Sequence, residues 1–389
     1  DEVPVERPVL FAAGSDAGLS LKVINAAAHC LAAYWMLRGL QPGEPVVLLC
    51  ASDIWYPAVE TSIQLAGGLS LALDPRQPEA QLRDLIRETG ARFYYCADYR
   101  LYTQFRAWLD ALTQPLHLVC TTDRTDKLQE NDRLTTLEAA LFVGKNWWRE
   151  HLEDVEARKT APPPSSPSLR WMELDGTRCL ALELSRSERL AWLRAQLATV
   201  RQWPARPRVL AVAQEWQGWA VGLGIYWPLR AAQRLILAPP HGTTVLQQVR
   251  QQRITVLVAD GQFLTGFCQL LATQFQADYP LRKRYVARAY RNDQRIRLAE
   301  QQGESAGLVA GLGRWPSRRF IFLKLKKRYL PALQVVVVDA GPWVEELHRF
   351  LAPLGVRVLV DAGTEAQSRA ATRSLGVRPA TESAASTWA

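Results

Sequence analysis

The chain has 389 residues, of which 48% are hydrophobic and 22% charged, and its formal net charge is +9 at pH 7. These proportions are ordinary for a soluble globular protein, and a chain of this length can bury a large core divided over two or three subdomains. Its longest apolar runs, such as Val335–Val338, have the length of buried strands and fall far short of the roughly 18 residues of a membrane span. No membrane-spanning helix is therefore expected.

The six cysteines are scattered along the chain and include no C-x-x-C pair. This spacing argues against a zinc site or a disulfide framework and favours a reducing compartment. We therefore expect a cytoplasmic protein, with peripheral contact to a membrane left open.

Helices and strands alternate in the first part of the chain. Apolar residues at helical spacing predict a first helix that ends at Gly39, and short apolar runs predict the strands between helices. The predicted elements are helix 19–38, strand 45–50, helix 54–66, strand 69–73, helix 78–90 and strand 92–96. This alternation predicts an α/β fold of mostly parallel sheets flanked by helices.

A segment rich in proline and serine interrupts the alternation at 158–168 and predicts a linker or exposed loop. Further strands are predicted at 208–212, 235–237, 254–258, 333–338 and 356–360, and further helices at 245–252, 262–274, 281–300, 317–329 and 345–354. We thus predict a first α/β subdomain over 1–157 and a second over 169–369. The second carries a basic helical insertion at 281–330 and is followed by a tail over 370–389.

Positive charge is concentrated in residues 281–330, where fourteen Lys and Arg stand against three acidic residues, a local net charge of +11 (14 − 3). A solvated helix face is the simpler interpretation. The functional alternative is a docking surface for an acidic protein or an anionic membrane, whereas no recognisable module supports nucleic-acid binding. The candidate contact residues are Arg282, Lys283, Arg284, Arg288, Arg291, Lys324, Lys326, Lys327 and Arg328.

Several segments resemble the adenylate-forming (AMP-binding) acyl-activating superfamily. Residues 22–98 carry its order of helix, glycine turn, strand, helix, Gly67-Gly68, strand and a helix that ends near Ala91. Residues 246–258 resemble a later helix and strand, without the proline expected soon after Thr255. Residues 281–340 resemble more narrowly the long-chain fatty-acyl-CoA or acyl-ACP ligase branch. The resemblance implies the α/β fold of the large N-terminal domain of these enzymes.

The resemblance places the nucleotide loop of the family at about residues 172–181. Such a loop needs several glycines and a lysine, because backbone N–H groups must approach the phosphate oxygens and a cation must meet their charge. Here only Gly176 and Thr177 survive as residual nucleotide-binding candidates, and we expect a plain turn between a strand and a helix. Phosphate binding by Arg178 or Arg186 is the alternative, since arginine binds phosphate well.

A second implied site follows strand 356–360. Thr364 and Glu365 match positions that contact the AMP phosphate and Mg²⁺ in the family, and inherited capping roles are the alternative for both. Asp361 replaces the stacking tyrosine and is interpreted as a strand-end residue. Trp343 stands in the small-residue turn that borders adenine and acyl chain, where it either packs plainly or plugs the pocket. No catalytic residue is assigned, and no metal is expected unless Glu365 holds Mg²⁺.

These losses leave three hypotheses. The first is a catalytically inactive long-chain acyl-CoA ligase-like protein that needs no cofactor and acts as a binding or scaffold subunit for a protein partner. The second is a divergent AMP-forming fatty-acid ligase that uses ATP and Mg²⁺. The third is a fatty-acid or nucleotide sensor. The family continues with a hinge and a small domain bearing a catalytic lysine, for which the resemblance finds no match up to Ala389. Enzymatic activity is left uncertain.

Overall fold

The computed structural model describes residues 6–50, 53–73, 75, 77–97, 99, 101–104, 117–121, 134–160, 162–163, 165–175, 178–212, 218–230, 234–278 and 322–361. Over 170–175 and 178–182 the backbone alone is described. The predicted helix at 281–300 and the candidate residues at 176–177, 282–291 and 364–365 lie outside these ranges.

The predicted strands at 45–50, 69–73, 92–96 and 208–212 are confirmed with small shifts at their ends. In the described part of the chain the strands are β1 (Pro8–Ala12), β2 (Gly18–Ser20), β3 (Pro45–Leu49), β4 (Leu69–Leu73), β5 (Phe93–Cys96), β6 (His117–Cys120), β7 (Leu134–Thr136), β8 (Pro167–Asp175), β9 (Arg178–Ser185), β10 (Arg208–Val212), β11 (Arg234–Ala238), β12 (Val256–Val258), β13 (Val335–Val338) and β14 (Arg357–Val360).

The helices are α1 (Leu21–Leu37), α2 (Tyr56–Leu65), α3 (Glu79–Thr89), α4 (Leu137–Glu150), α5 (Leu152–Thr160), α6 (Arg186–Ala195), α7 (Leu197–Val200), α8 (Gly218–Val221), α9 (Trp227–Arg230), α10 (Gly242–Gln251), α11 (Gly261–Asp278), α12 (Leu323–Tyr329) and α13 (Val344–Leu351). A π-helix over Gly222–Tyr226 joins α8 to α9, and a 3-10 turn over Ala352–Leu354 follows α13. Among the helices described, none combines the length and apolarity that crossing a membrane requires.

The described strands form two seven-stranded sheets. The order of the first sheet is β7-β6-β5-β3-β4-β8-β9, and that of the second is β14-β13-β12-β10-β11-β1-β2. Neighbouring strands are parallel, except for the antiparallel pairs β8–β9 and β1–β2 at one edge of each sheet. The predicted α/β fold of mostly parallel sheets is confirmed.

The two sheets do not follow the predicted domain ranges, whose division stays a prediction. β1 and β2 lie within residues 1–157 but belong to the second sheet, whereas β8 and β9 belong to the first sheet. Regular structure extends into both ends of the predicted linker at 158–168, because α5 continues to Thr160 and β8 begins at Pro167. Proline is tolerated as the first residue of a strand, where its missing N–H costs no ladder bond.

Alternate side chains of β3 enter two different apolar clusters. Val46 and Leu48 belong to the cluster that contains Trp35 of α1, whereas Val47 and Leu49 belong to the cluster that contains Leu82 of α3. A parallel strand covered on both faces needs such a continuous apolar run, which explains why this segment is recognisable in the sequence.

Helix α1 begins and ends at the residues that the sequence favours. Ser20 accepts a hydrogen bond on its Oγ from the Val23 N–H at 3.2 Å, so it caps the helix N-terminus. Gly39, one residue after the C-cap, adopts a φ of +86°, a left-handed conformation that glycine reaches without strain.

Helices α1 and α4 approach each other closely at Gly144. A Cβ atom at this position would lie 1.9 Å from the carbonyl oxygen of Cys30. Glycine is therefore required for the two helix backbones to meet at this distance.

Candidate functional site

The segment in which the resemblance places a phosphate loop is a tight β-hairpin. β8 and β9 pair in register up to the opposed residues Asp175 and Arg178, so positions 176 and 177 alone connect the strands. The prediction of a plain turn between a strand and a helix is wrong. Residues 172–181 lie largely within two paired strands, and α6 begins only at Arg186. The sequence signal for a hairpin is Asp175-Gly176 followed by alternating leucines, a pattern typical of a two-residue turn.

Ser185 and Arg186 join the end of this hairpin to neighbouring helices. Ser185 and Glu188 form a reciprocal capping box at the start of α6. Arg186 donates hydrogen bonds to the carbonyl oxygens of Gln64 at 2.8 Å and Lys159 at 3.3 Å. These bonds give the Arg186 side chain a role that involves no phosphate.

A buried ion pair joins α2 to α6. Glu60 is 1% exposed, and Arg189 donates to both of its carboxylate oxygens, at 2.7 and 2.8 Å. Ser70 of β4 donates to the same carboxylate at 3.2 Å, and so does Tyr226 at the end of the π-helix. The network therefore connects the first sheet, through β4 and α2, to the helical segment that precedes β11 of the second sheet.

This network holds one carboxylate and one guanidinium as a charged pair. Burial disfavours ionised Glu60, but the charge of Arg189 and the hydrogen bonds from Arg189, Tyr226 and Ser70 outweigh it, so the pKa of Glu60 is lowered. Burial acts against charged Arg189 in the same way, and Glu60 outweighs it by raising the pKa of the guanidinium. Because both groups stay ionised and neutralise each other, we interpret the pair as a structural connection rather than an acid–base site.

Asp361 directly follows β14 and is 1% exposed, which confirms the strand-end interpretation. Its carboxylate accepts a hydrogen bond from the side-chain amide of the fully buried Gln196 at 3.2 Å. Gln196 in turn lies against the π-helix, because a Cβ on Gly222 would be 1.9 Å from its Oε1. Protein side chains thus surround the position at which the resemblance implies a ring that stacks on a nucleotide.

Trp343 packs against Gly261, the first residue of α11, and against Gly341, which precedes α13. A Cβ on Gly261 would lie 1.8 Å from its Nε1, and a Cβ on Gly341 would lie 2.4 Å from its ring. Its Nε1–H donates to the carbonyl oxygen of Asp339 at 3.3 Å, and the Asp339 carboxylate accepts from the Gly261 N–H at 2.8 Å. Burial raises the pKa of Asp339 to about 6. The packing role of Trp343 is confirmed, and a role as a pocket plug stays a prediction.

Four of the predicted contact residues lie on the short helix α12. Lys324, Lys327 and Arg328 are exposed, whereas Lys326 donates to the carbonyl oxygen of Gly355 at 3.1 Å. Burial lowers the pKa of Lys326. The other predicted contact residues, and the nucleotide-site candidates Gly176, Thr177, Thr364 and Glu365, lie outside the described residues.

Lys327 and Arg328 line a groove between α10, α11 and α12 together with a third cation. Arg250 of α10 is the third cation, and the groove has a volume of about 590 Å³. We call this feature the basic groove. Sequence reasoning missed Arg250, which is far from residues 281–330 in the chain. It also missed the Glu60–Arg189 pair, since no local pattern links two residues that are 129 positions apart.

A family model and the curated relatives match parts of the chain. Residues 2–169, less than half of the chain, match the family model of the AMP-binding enzymes, and the match ends within β8. The nonribosomal peptide synthetase ungA of Aspergillus violaceofuscus is 30% identical over 83 residues, or 21% of this chain and 1% of that protein. The nonribosomal peptide synthetase GRA1 of Gibberella zeae is 34% identical over 82 residues, with the same shares.

Solved structures match nearly the whole chain. An anthranilate CoA ligase, AuaEII, in complex with anthranoyl-AMP gives a TM-score of 0.63 at 13% identity over 91% of this chain and 56% of that enzyme. A benzoate CoA ligase from Burkholderia xenovorans LB400 gives 0.61 at 12% identity over 92% of this chain and 57% of that enzyme. The chain therefore spans little more than half of the length of these enzymes, and the segments matched to the two synthetases cover about one hundredth of those proteins.

The chain has the fold of the N-terminal domain of adenylate-forming, acyl-CoA ligase-like enzymes. The solved structures establish this fold, and the family model over residues 2–169 supports the AMP-binding superfamily. None of the four relatives described above is named as a long-chain fatty-acyl ligase, so that branch stays a prediction.

Proposed function

We propose that this chain has kept the adenylate-forming framework without the residues that bind ATP phosphates, and that it acts as a binding or scaffold subunit for a protein partner. The observation that carries this proposal is the pairing of β8 and β9 up to Asp175 and Arg178. A connection of two residues offers at most two backbone N–H groups, whereas a phosphate loop surrounds its ligand with several and adds a lysine. The residues present do not fit ATP and Mg²⁺, and no adenylation step follows from them.

Two further observations support the loss of nucleotide binding. Asp361 is bound to buried Gln196 where the family stacks an aromatic ring, and its charge would repel a phosphate. The match to the AMP-binding family model also ends at residue 169, before the hairpin connection. A branch close to the long-chain fatty-acyl ligases and a cytoplasmic location belong to the same proposal.

The binding role is supported by charge. Lys324, Lys327 and Arg328 are exposed on α12, in the part of the chain that carries a net charge of +11 over residues 281–330. Surfaces of one charge sign attract partners of the opposite sign and speed their encounter. An acidic protein is the partner that we propose.

ATP–pyrophosphate exchange tests the catalytic part of the proposal. The purified chain is assayed with a panel of fatty and aromatic acids, beside an active acyl-CoA ligase as positive control. We expect exchange at the background rate with every acid, because the loss of even one preorganised donor typically costs about 10²–10³ in rate. Exchange above background with any acid would contradict the proposal and favour the divergent ligase.

A further inference from the structure

The basic groove is lined by three kinds of side chain, which are cationic, neutral polar and apolar. Arg250, Lys327 and Arg328 supply positive charge, and none of the groove's described lining residues is acidic. Arg250 and Lys327 form no ion pair within the described part of the chain. The charge of the groove therefore favours an anionic occupant.

Neutral polar side chains line the same groove. They are Thr243, Gln247 and Gln251 on α10 and Gln274 on α11. Each glutamine amide offers donors and an acceptor, which matches the alternating C=O and N–H groups of a peptide backbone. Gln247 donates to the side-chain oxygen of Gln251 at 3.4 Å, which leaves the amide oxygens of Gln247 and Gln274 as acceptors for an occupant. A phosphate ion or a lipid phosphate offers acceptors almost alone, so these two oxygens would find no donor on it. This composition favours a polypeptide over a phosphate headgroup.

The floor of the groove is apolar. Leu246 and Tyr329 are 8% and 2% exposed, and Leu270 lies beside them. An apolar side chain of an occupant would bury its surface on this floor. The carboxylates of acidic residues on either side of it would then lie near the cations of the groove. From Thr243 to Gln251 the groove follows α10 for about 12 Å, at 1.5 Å per helical residue. That length fits roughly four residues of extended chain at about 3.3 Å each.

We propose that the basic groove is the docking site for a short acidic segment of a partner protein, with an apolar residue between acidic ones. The inference rests on the proposed binding function and names its contact site. The neighbouring residues 281–321 of this chain are not a complementary occupant, since they hold ten Lys and Arg against three acids. The charge of the groove is instead complementary to an acidic chain from outside.

The test measures fluorescence polarisation of labelled peptides in which Glu-Asp pairs flank Leu, Ile, Phe or Trp. Neutral Gln-Asn counterparts serve as peptide controls. We expect the acidic peptides to bind saturably and the neutral ones at least about tenfold more weakly, since close charge pairs carry much of such affinities. Raising the salt concentration should weaken binding, because exposed charges are screened.

Three variants separate the groove from charge in general. The double variant Arg250→Glu/Lys327→Glu reverses the charge of the groove. Gln247→Trp fills the groove and leaves its charge unchanged. Each of these two changes should weaken binding about tenfold or more. Arg194→Glu makes the matched control, because Arg194 is an exposed cation of α6 and does not line the groove. It should change affinity by less than about threefold, because an exposed charge away from the groove contributes little. Circular dichroism confirms that each variant is folded.

Several results would overturn the proposal. The acidic peptides do not bind, Arg194→Glu weakens binding as much as the groove variants do, or Gln247→Trp does not weaken it. Binding to phosphatidylserine vesicles or inorganic phosphate without binding to the peptides would also overturn it, in favour of a lipid or phosphate site. These outcomes are independent of ATP–pyrophosphate exchange, so failure of the groove and failure of the proposed inactivity can be told apart.

Discussion

At the scale of single residues, Arg189 donates two hydrogen bonds to a carboxylate that is almost completely buried. The desolvation of both charges is already compensated by their contact, so the removal of one partner leaves an unpaired charge in the interior. Removing the charges of both partners together is less costly than removing one. The pair therefore connects α2 and α6 specifically, and its energetic role can be measured by a double-mutant cycle.

We predict that Arg189→Leu lowers the free energy of unfolding by about 3–5 kcal/mol, the usual cost of breaking a buried pair. The double variant Glu60→Gln/Arg189→Leu should recover at least half of that loss, because the introduced amide is neutral, its oxygen accepts from Ser70 and its NH2 group donates to the Tyr226 hydroxyl. Urea denaturation at neutral pH provides both values. Equal stability of the single and double variants would contradict the assigned ion pair.

The same pair predicts a dependence on pH. The pKa of Glu60 is lowered in the folded protein, so its contribution is fully present above the unfolded value of about 4.5 and is lost as the pH falls through the folded value. In Arg189→Leu the buried carboxylate has no counter-charge, and its pKa should rise above the unfolded value. The stability difference between the two proteins should therefore shrink as the pH falls from about 7 to about 5.

The candidate residues show what a sequence can and cannot reveal at this scale. Lys327 and Arg328 are recognisable in the sequence as candidate contact residues because they lie in a basic segment. Arg250 joins them only through the packing of α10 against α12, which no local charge count detects. Glu60 and Arg189 were unpredictable for the same reason, since the folded sheet alone brings their helices together.

At the scale of elements, the largely apolar runs of β3, β4 and β13 made the strands predictable, because strands covered on both faces are mostly apolar. The β8–β9 hairpin was not predicted. The resemblance implied a family loop at 172–181, whereas Asp175-Gly176 and the alternating leucines after it are typical of a hairpin. The sequence also did not predict that β1 and β2 belong to the second sheet, because strand order is set by long-range packing.

The crossing of α1 and α4 provides a test at this scale. Gly144→Ala should lower the free energy of unfolding by about 1–3 kcal/mol, because the added Cβ would overlap the Cys30 carbonyl and force the helices apart. Thermal or urea unfolding measures the change.

Gly266→Ala in α11 is the matched control. A Cβ on Gly266 meets no atom within 4 Å, so the substitution should stabilise the helix by about 0.5–1 kcal/mol through reduced backbone entropy. A Gly144→Ala variant as stable as the Gly266→Ala variant would show that the two helices do not approach as closely as described.

At the scale of the whole molecule, two seven-stranded sheets reproduce the adenylate-forming fold over about nine tenths of this chain, at 12–13% identity to the CoA ligases described above. A fold can persist while its site changes, because packing depends on apolar pattern and volume whereas phosphate binding depends on a few particular groups. In our proposal the short β8–β9 connection is such a local change.

Titration calorimetry with ATP and Mg²⁺ tests the central claim most directly, because it measures phosphate binding without requiring turnover. We predict no saturable heat up to millimolar ATP, and no rise in melting temperature at the same concentrations. A ligand present at 100 times its Kd would add about 2.7 kcal/mol to the stability of the folded state, a shift that thermal unfolding detects easily. Saturable binding of ATP that is strengthened by Mg²⁺ would contradict the claim.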